Sequence, residues 1–93
     1  MMSQIPFNLD KINKEDVDKE ILRTGIIAEL DAVSLYEQLA SITGNETLKK
    51  VFAEIAKEEK THVGEFQALL LKLDQEQTSE LEAGKKEVDE LMK

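Results

Sequence analysis

The chain has 93 residues, which is one small domain and no more, because chains of this size bury only about 60 to 65% of their unfolded surface. Twelve Lys and Arg stand against twenty Asp and Glu, a formal net charge of −8. That sign repels phosphate backbones and anionic headgroups, so neither nucleic acid nor a membrane surface is an expected partner and cations are. Cysteine is absent, which excludes disulfides, thiolate zinc sites, iron–sulfur clusters and a thiol nucleophile and leaves carboxylates and one histidine for metal chemistry. No apolar run approaches the roughly 20 residues that span a bilayer, and Met1 to Lys11 has neither the basic start nor the apolar stretch of a secretory signal. The expected location is cytoplasmic.

The composition predicts an all-α chain, since Leu, Ile, Glu, Lys and Ala dominate and runs of β-branched or aromatic residues are nearly absent. Residues 1–12 read as an arm interrupted by Pro6, with Ile5, Phe7, Leu9 and Ile12 as apolar pegs, and residues 13–93 as a single helical domain. The first helix is expected from Asn13, acting as cap, to about Thr43, with Gly44 taking a left-handed stop. Gly44-Asn45 is the expected turn and Asn45 the cap of a second helix that runs to about Leu73. A turn this short forces the two helices antiparallel. Beyond Asp74 the chain is polar and acidic, but Leu81, Val88 and Leu91 recur at helical spacing and predict a short third helix with a thin apolar edge.

In the first helix Leu22, Ile26, Glu29, Val33, Tyr36 and Ala40 share one face. In the second, Leu48, Phe52, Ile55, Glu59, His62, Phe66, Leu69 and Leu73 do the same. Glu29, Glu59 and His62 are the polar interruptions. An ionised carboxylate moved into an apolar interior costs several kcal/mol unless something compensates it, and a bound cation is the economical compensation. Glu59-Lys60-Thr61-His62 is Glu-x-x-His, whose ends lie one turn apart and can converge on one ion, and hairpin closure brings Glu29 to a similar height. Dimetal sites in helical bundles take one Glu from each of two helices and Glu-x-x-His from each of two others. This chain supplies half of that set, so a twofold pair of chains would offer four glutamates and two histidines to two divalent cations, with formal charge cancelling. The residues leave open an ordinary core histidine bonded to a carbonyl at position 62 and a partly exposed Glu29. Tyr36, two turns beyond Glu29, reads as a packing residue with a satisfied hydroxyl, with a supporting catalytic role beside Glu29, Glu59 and His62 as the alternative. Asp31, Glu37, Glu58 and Glu65 read as solvated or flanking acids.

The segments Ala28 to Gln38 (AELDAVSLYEQ) and Glu58 to Phe66 (EEKTHVGEF), with Leu70 to Gln77 (LLKLDQEQ), resemble the rubrerythrin-like, encapsulated ferritin family, and the likeness extends over about Ile21 to Leu91. The resemblance implies half-ferritin chains that pair into a ferritin-like four-helix bundle around a di-iron ferroxidase centre, often in a decameric ring, and that deliver oxidised iron to an encapsulin nanocompartment. It implies Glu29, Glu59 and His62 as iron ligands, with Tyr36 matching the family's tyrosine beside the centre. Manganese suits the same ligands. Some relatives carry a further acidic metal site where this chain has Ala28 and Asp31, and Ala28 cannot ligate. Glu87 to Lys93 differs from the Gly-Ser-Leu type of tail by which many cargo proteins dock in a shell. The expected function is Fe(II) oxidation by O₂ or peroxide at a site shared between two subunits, for iron storage and detoxification. The rivals are a structural or adaptor helical bundle whose seam polars fix register, and a rubrerythrin-like peroxide-reducing di-iron protein with a separate electron donor.

Overall fold

A computed structural model describes Asn13 and residues 16–93, so the arm expected over residues 1–12 lies outside the described residues. Three helices follow one another: α1 (Val17–Ile42), α2 (Glu46–Leu73) and α3 (Gln75–Leu91). With 26 and 28 residues, α1 and α2 are rods of about 40 Å. They pack against each other as an antiparallel hairpin, while α3 touches mainly α2.

The start of α1 differs from the expectation. The Asp16 N–H donates to the Asn13 carbonyl at 2.8 Å, so Asn13 closes a turn ahead of the helix and does not cap it. Asp16 takes the cap position without a side-chain bond. Asp18 and Glu20 in the first turn place negative charge at the positive helix end and serve in its stead. The end of α1 differs as well: no described residue has a positive φ, so Gly44 makes no left-handed stop. Thr43 leaves the helix in extended conformation, its N–H bonded to the Leu39 carbonyl at 3.3 Å. Its Oγ1 accepts the Asn45 N–H at 3.1 Å, which turns the chain without any left-handed residue. Asn45 then caps α2 as expected, Oδ1 accepting the Leu48 N–H at 3.0 Å.

Asp74 alone separates α2 from α3. Its N–H donates to the Leu70 carbonyl at 2.9 Å, its Oδ1 accepts the Gln77 N–H at 3.0 Å, and its Oδ2 accepts from Arg23 Nη2 at 2.9 Å. Arg23 also donates through Nη1 to Glu20 Oε1 at 2.9 Å. One carboxylate therefore ends one helix, starts the next and ties the corner to α1. The Gln77 backbone bond first, and the Arg23 guanidinium and Lys19 charge after it, hold the Asp74 carboxyl below the usual carboxylate range, against an opposing contribution from burial.

The seam is narrower than the sequence stripe. Among the described residues, Val33 and Ala40 of α1 and Ala56 and Leu70 of α2 are the buried apolar ones, and no large side chain is fully enclosed. Ala56 and Leu70 follow Ile55 and Leu69 by one position, so the face of α2 turned toward α1 is rotated by part of a turn from the centre of its stripe. Leu48, Leu69 and Leu73 on α2, with Ile21 and Leu35 on α1, stay about half exposed. Two rods cover only one flank of each other's roughly 100° apolar stripe, and the second flank is left to solvent.

Two outcomes follow from the caps. Replacing Asn45 with alanine lowers the unfolding free energy by about 1 kcal/mol in urea titration, the ordinary cost of a lost N-cap. Because the Asp74 carboxyl is lowered in the folded state, its contribution is fully present above about pH 4 and fades as pH falls through the folded value. The protection factors of the Gln77 and Thr78 amides, corrected for intrinsic exchange, fall over that acid range in the wild type. Asp74→Asn, which keeps a cap acceptor and loses the charge, removes the pH step.

Candidate metal centre

Glu29 sits midway along α1, and Glu59 and His62 sit one turn apart midway along α2. The antiparallel register that brings Tyr36 against Phe52, with ring centroids 6.1 Å apart and planes 14° from parallel, brings Glu29 level with the Glu-x-x-His turn. One ligand atom from each of the three lies within 4.8 Å of the others. His62 Nδ1 is 3.5 Å from Glu29 Oε2 and 3.6 Å from Glu59 Oε2. These separations are long for good hydrogen bonds. Glu29 Oε2 is buried with no hydrogen-bond partner among the described residues. Three donors thus converge without satisfying one another, and two of them repel. Donors on one hard divalent cation, with bonds of about 2.1 Å, stand about 3 to 4 Å apart, and a set of two carboxylates and an imidazole suits iron or manganese. The residues fit a metal.

The cluster is lopsided. The Glu29 and Glu59 side chains are 21% and 18% exposed, the His62 side chain 43%. His62 lies on the flank of α2 that carries the half-exposed Leu69 and Leu73, turned away from the buried line of Ala56 and Leu70. The site therefore opens onto the uncovered apolar face of the hairpin.

Of the remaining sequence candidates, Tyr36 packs on Phe52 beyond the cluster. Glu58 and Glu65 are exposed as expected, and Glu37 is an exposed acid paired with Lys60 at 3.0 Å. Asp31 departs from expectation: it is 7% exposed, and its Oδ2 has no partner among the described residues. It lies two residues from Glu29, which in a helix is the opposite side of α1 from the cluster. The seam periodicity carries no signal for that burial. Arg23 and Asp74 also escape a reading by spacing, because their pairing depends on where α3 begins.

The sequence matches the Rubrerythrin family over residues 20–92. The chain belongs to the rubrerythrin, ferritin-like family. It is 54% identical over 84 residues to a ferritin-like-encapsulin shell fusion protein of Pyrococcus furiosus, covering 90% of this chain and 24% of that protein. It is 38% identical over 58 residues to the encapsulin nanocompartment cargo protein EncC of Myxococcus xanthus, covering 62% of this chain and 45% of that one. It spans about a quarter of the first relative's length and less than half of the second's. The crystal structure of the encapsulated ferritin domain from Pyrococcus furiosus superimposes with a TM-score of 0.83 at 50% identity, over 98% of this chain and 95% of the other. The all-α hairpin with a short third helix is thus a ferritin-like domain, and proteins of this rubrerythrin family are usually di-iron oxidoreductases. No helix among the described residues is long and apolar enough to cross a membrane.

Two carboxylates held this close repel, so Glu29→Gln raises the thermal midpoint of chelator-treated protein. The same variant shows little further rise when Mn(II) is added, whereas the wild type gains stability with metal concentration. A scanning calorimetry series with and without chelator measures both.

Proposed function

We propose that the chain is a ferroxidase half-site: two copies pair through the open apolar face, and two sets of Glu29, Glu59 and His62 hold two Fe(II) ions as substrate. The observation that carries this reading is a buried, unpartnered Glu29 oxygen meeting Glu59 and His62 at the edge of an uncovered apolar flank. A second copy laid on that flank covers Leu69, Leu73, Leu35 and Ile21 and doubles the ligands at the same time. Four glutamates then face two divalent cations, and the buried charge cancels.

The pair of iron ions supplies two electrons. With O₂ as oxidant, two Fe(II) become two Fe(III) while O₂ takes up two electrons and two protons to give H₂O₂; with peroxide, the same two electrons and two protons give two waters. The glutamates hold the ions at matched positions and balance the charge gained on oxidation, and the imidazoles complete the donor sets. Tyr36, two turns along α1 from Glu29, acts as a neighbour of the centre and not as a ligand. The relatives' names, a shell fusion and a nanocompartment cargo protein, support iron storage inside an encapsulin compartment, with the shell protein as partner.

Light scattering finds a dimer or a multiple of it; a compact, cooperatively folded monomer at micromolar concentration removes the paired-site reading. Aerobic Fe(II) oxidation followed by absorbance runs faster than in buffer alone. Glu29→Ala, Glu59→Ala and His62→Ala each reduce that rate at least about tenfold, since each substitution removes two ligands from a paired site. Tyr36→Phe is milder, and Glu65→Ala, an exposed acid on the same helix, leaves the rate unchanged. A Glu59→Ala protein with matched folding and wild-type activity leaves a structural bundle as the better account.

A further inference from the structure

Gly25 lies inside α1, where glycine is a poorer helix former than alanine. No described residue, glycine included, has a positive φ, so backbone freedom does not explain the choice. Space does: a Cβ built on Gly25 falls 3.2 Å from both Cδ2 and Cε2 of Phe66 and 3.7 Å from its Cγ. The Phe66 ring rests against the bare backbone of α1. The contact is one turn from the metal cluster on both helices, because Gly25 precedes Glu29 by four residues and Phe66 follows His62 by four. On the other side of the cluster stand Val33, four residues after Glu29, and Ala56, three before Glu59, both buried. The donors are therefore held between two apolar layers, and in one of them an aromatic ring meets a helix that carries no side chain at that point.

We propose that Gly25 and Phe66 are positioning residues for the metal centre, the thickness of one aromatic ring laid on a bare helix backbone setting the distance between α1 and α2 where Glu29 meets Glu59 and His62. This rests on the reading of the cluster as a metal site. A methyl group at position 25 meets ring carbons closer than packed carbons ordinarily stand, at about 3.5 to 4.0 Å. The ring can yield by tilting toward the turn of His62, the direction in which long helical side chains point, or by carrying α2 outward. Either motion displaces the imidazole relative to Glu29 by a few tenths of an ångström. Helix formation itself gains from alanine, a gain set against the cost of moving the ring. The position thus sets local helix stability against donor geometry.

The test is Co(II) binding to the full chain by calorimetry, with the ligand-field absorption of bound cobalt as a second readout and the thermal midpoint of the metal-free protein as a third. Gly25→Ala is expected to bind Co(II) about tenfold or more weakly, in the range of substitutions that disturb the support of metal ligands, with an altered cobalt spectrum and a thermal midpoint close to wild type. Phe66→Leu, which thins the spacer without crowding it, also weakens binding. Gly25→Ala combined with Phe66→Leu restores much of the affinity, a non-additivity that two independent structural defects do not produce. Gly64→Ala, where a Cβ meets no described atom within 4 Å, binds as wild type. Gly25→Ala with wild-type affinity and spectrum overturns the proposal while leaving the metal site standing. If Gly25→Ala does not fold, the double variant stands in its place, and Gly25→Ala/Phe66→Leu binding Co(II) no more tightly than Phe66→Leu alone overturns the proposal. Wild-type protein that binds no Co(II), indistinguishable from His62→Ala, overturns the metal site and this proposal together.

Discussion

An ionised carboxylate on the contact line of two helices is stable only if its charge is cancelled where it sits, because solvent cannot reach it fully and its apolar neighbours cannot answer it. Glu29 and Glu59 impose that demand twice within a few ångströms, and the neighbouring imidazole, 3.5 and 3.6 Å from the two oxygens, carries at most one positive charge against two carboxylates. The rest of the architecture follows from this constraint. Long helices give the cluster apolar walls on both sides. An antiparallel hairpin is the shortest topology that sets a carboxylate on one rod level with Glu-x-x-His on the other. The charge left over is what a pair of divalent cations would neutralise. The same constraint bears on the uncovered flank, since the apolar residues that two helices cannot bury lie on the side where His62 is most exposed. Unburied area and uncancelled charge therefore meet on one face, where a second copy would cover the first and bound divalent cations would cancel the second.

Level placement of the donors depends on the connection between the rods. Thr43, Gly44 and Asn45 are all that separates α1 from α2, and the Thr43 hydroxyl and Asn45 carboxamide spend their hydrogen bonds on the turn and the first amides of α2. A turn pinned at both ends has little freedom to slip, and a slip of one residue would turn Glu29 through about 100° away from its partners. At the other end of the hairpin Asp74 does the equivalent for α3, joining the cap of the new helix to Arg23 of α1 through a single carboxylate. The fold therefore fixes the cluster from both ends with short-range polar bonds, while the middle is held by small buried side chains.

The features legible in the sequence were those whose physics is local. The existence, order and approximate ends of the three helices follow from a 3.6-residue period, and the cap at Asn45 from a side chain acting on an amide three residues away. Glu29, Glu59 and His62 stood out because polar groups on an apolar stripe break a local rule. Rotation and termination are not local in this way. Asn13 and Gly44 have the right chemistry for helix ends, but the neighbouring Asp16 and Thr43 take the positions and do the closing. The stripe gave the face of each helix without the direction of its partner, so Ala56 and Leu70 are buried while Leu69 and Leu73 beside them are not. Asp31 is buried on the far side of α1, where no period in the sequence draws the eye.

Two glycines inside helices separate a residue that is merely tolerated from one that is required. Gly64 is exposed, a side chain there would meet no described atom, and nothing in the structure explains it. Gly25 carries a similar propensity cost in α1, yet a single methyl group there would press on the Phe66 ring at 3.2 Å and oblige it to give way by a few tenths of an ångström. Local preference and tertiary fit disagree at Gly25, and in folded proteins such disagreements gather where function needs a geometry that stability alone would not select. Its location one turn from Glu29, facing an aromatic ring one turn from His62, makes donor spacing the quantity that the disagreement serves. Packing density by itself would be met equally well by an alanine against a smaller partner, so the pairing of no side chain with a large flat one is better read as a choice of distance between two rods than as a way of filling space.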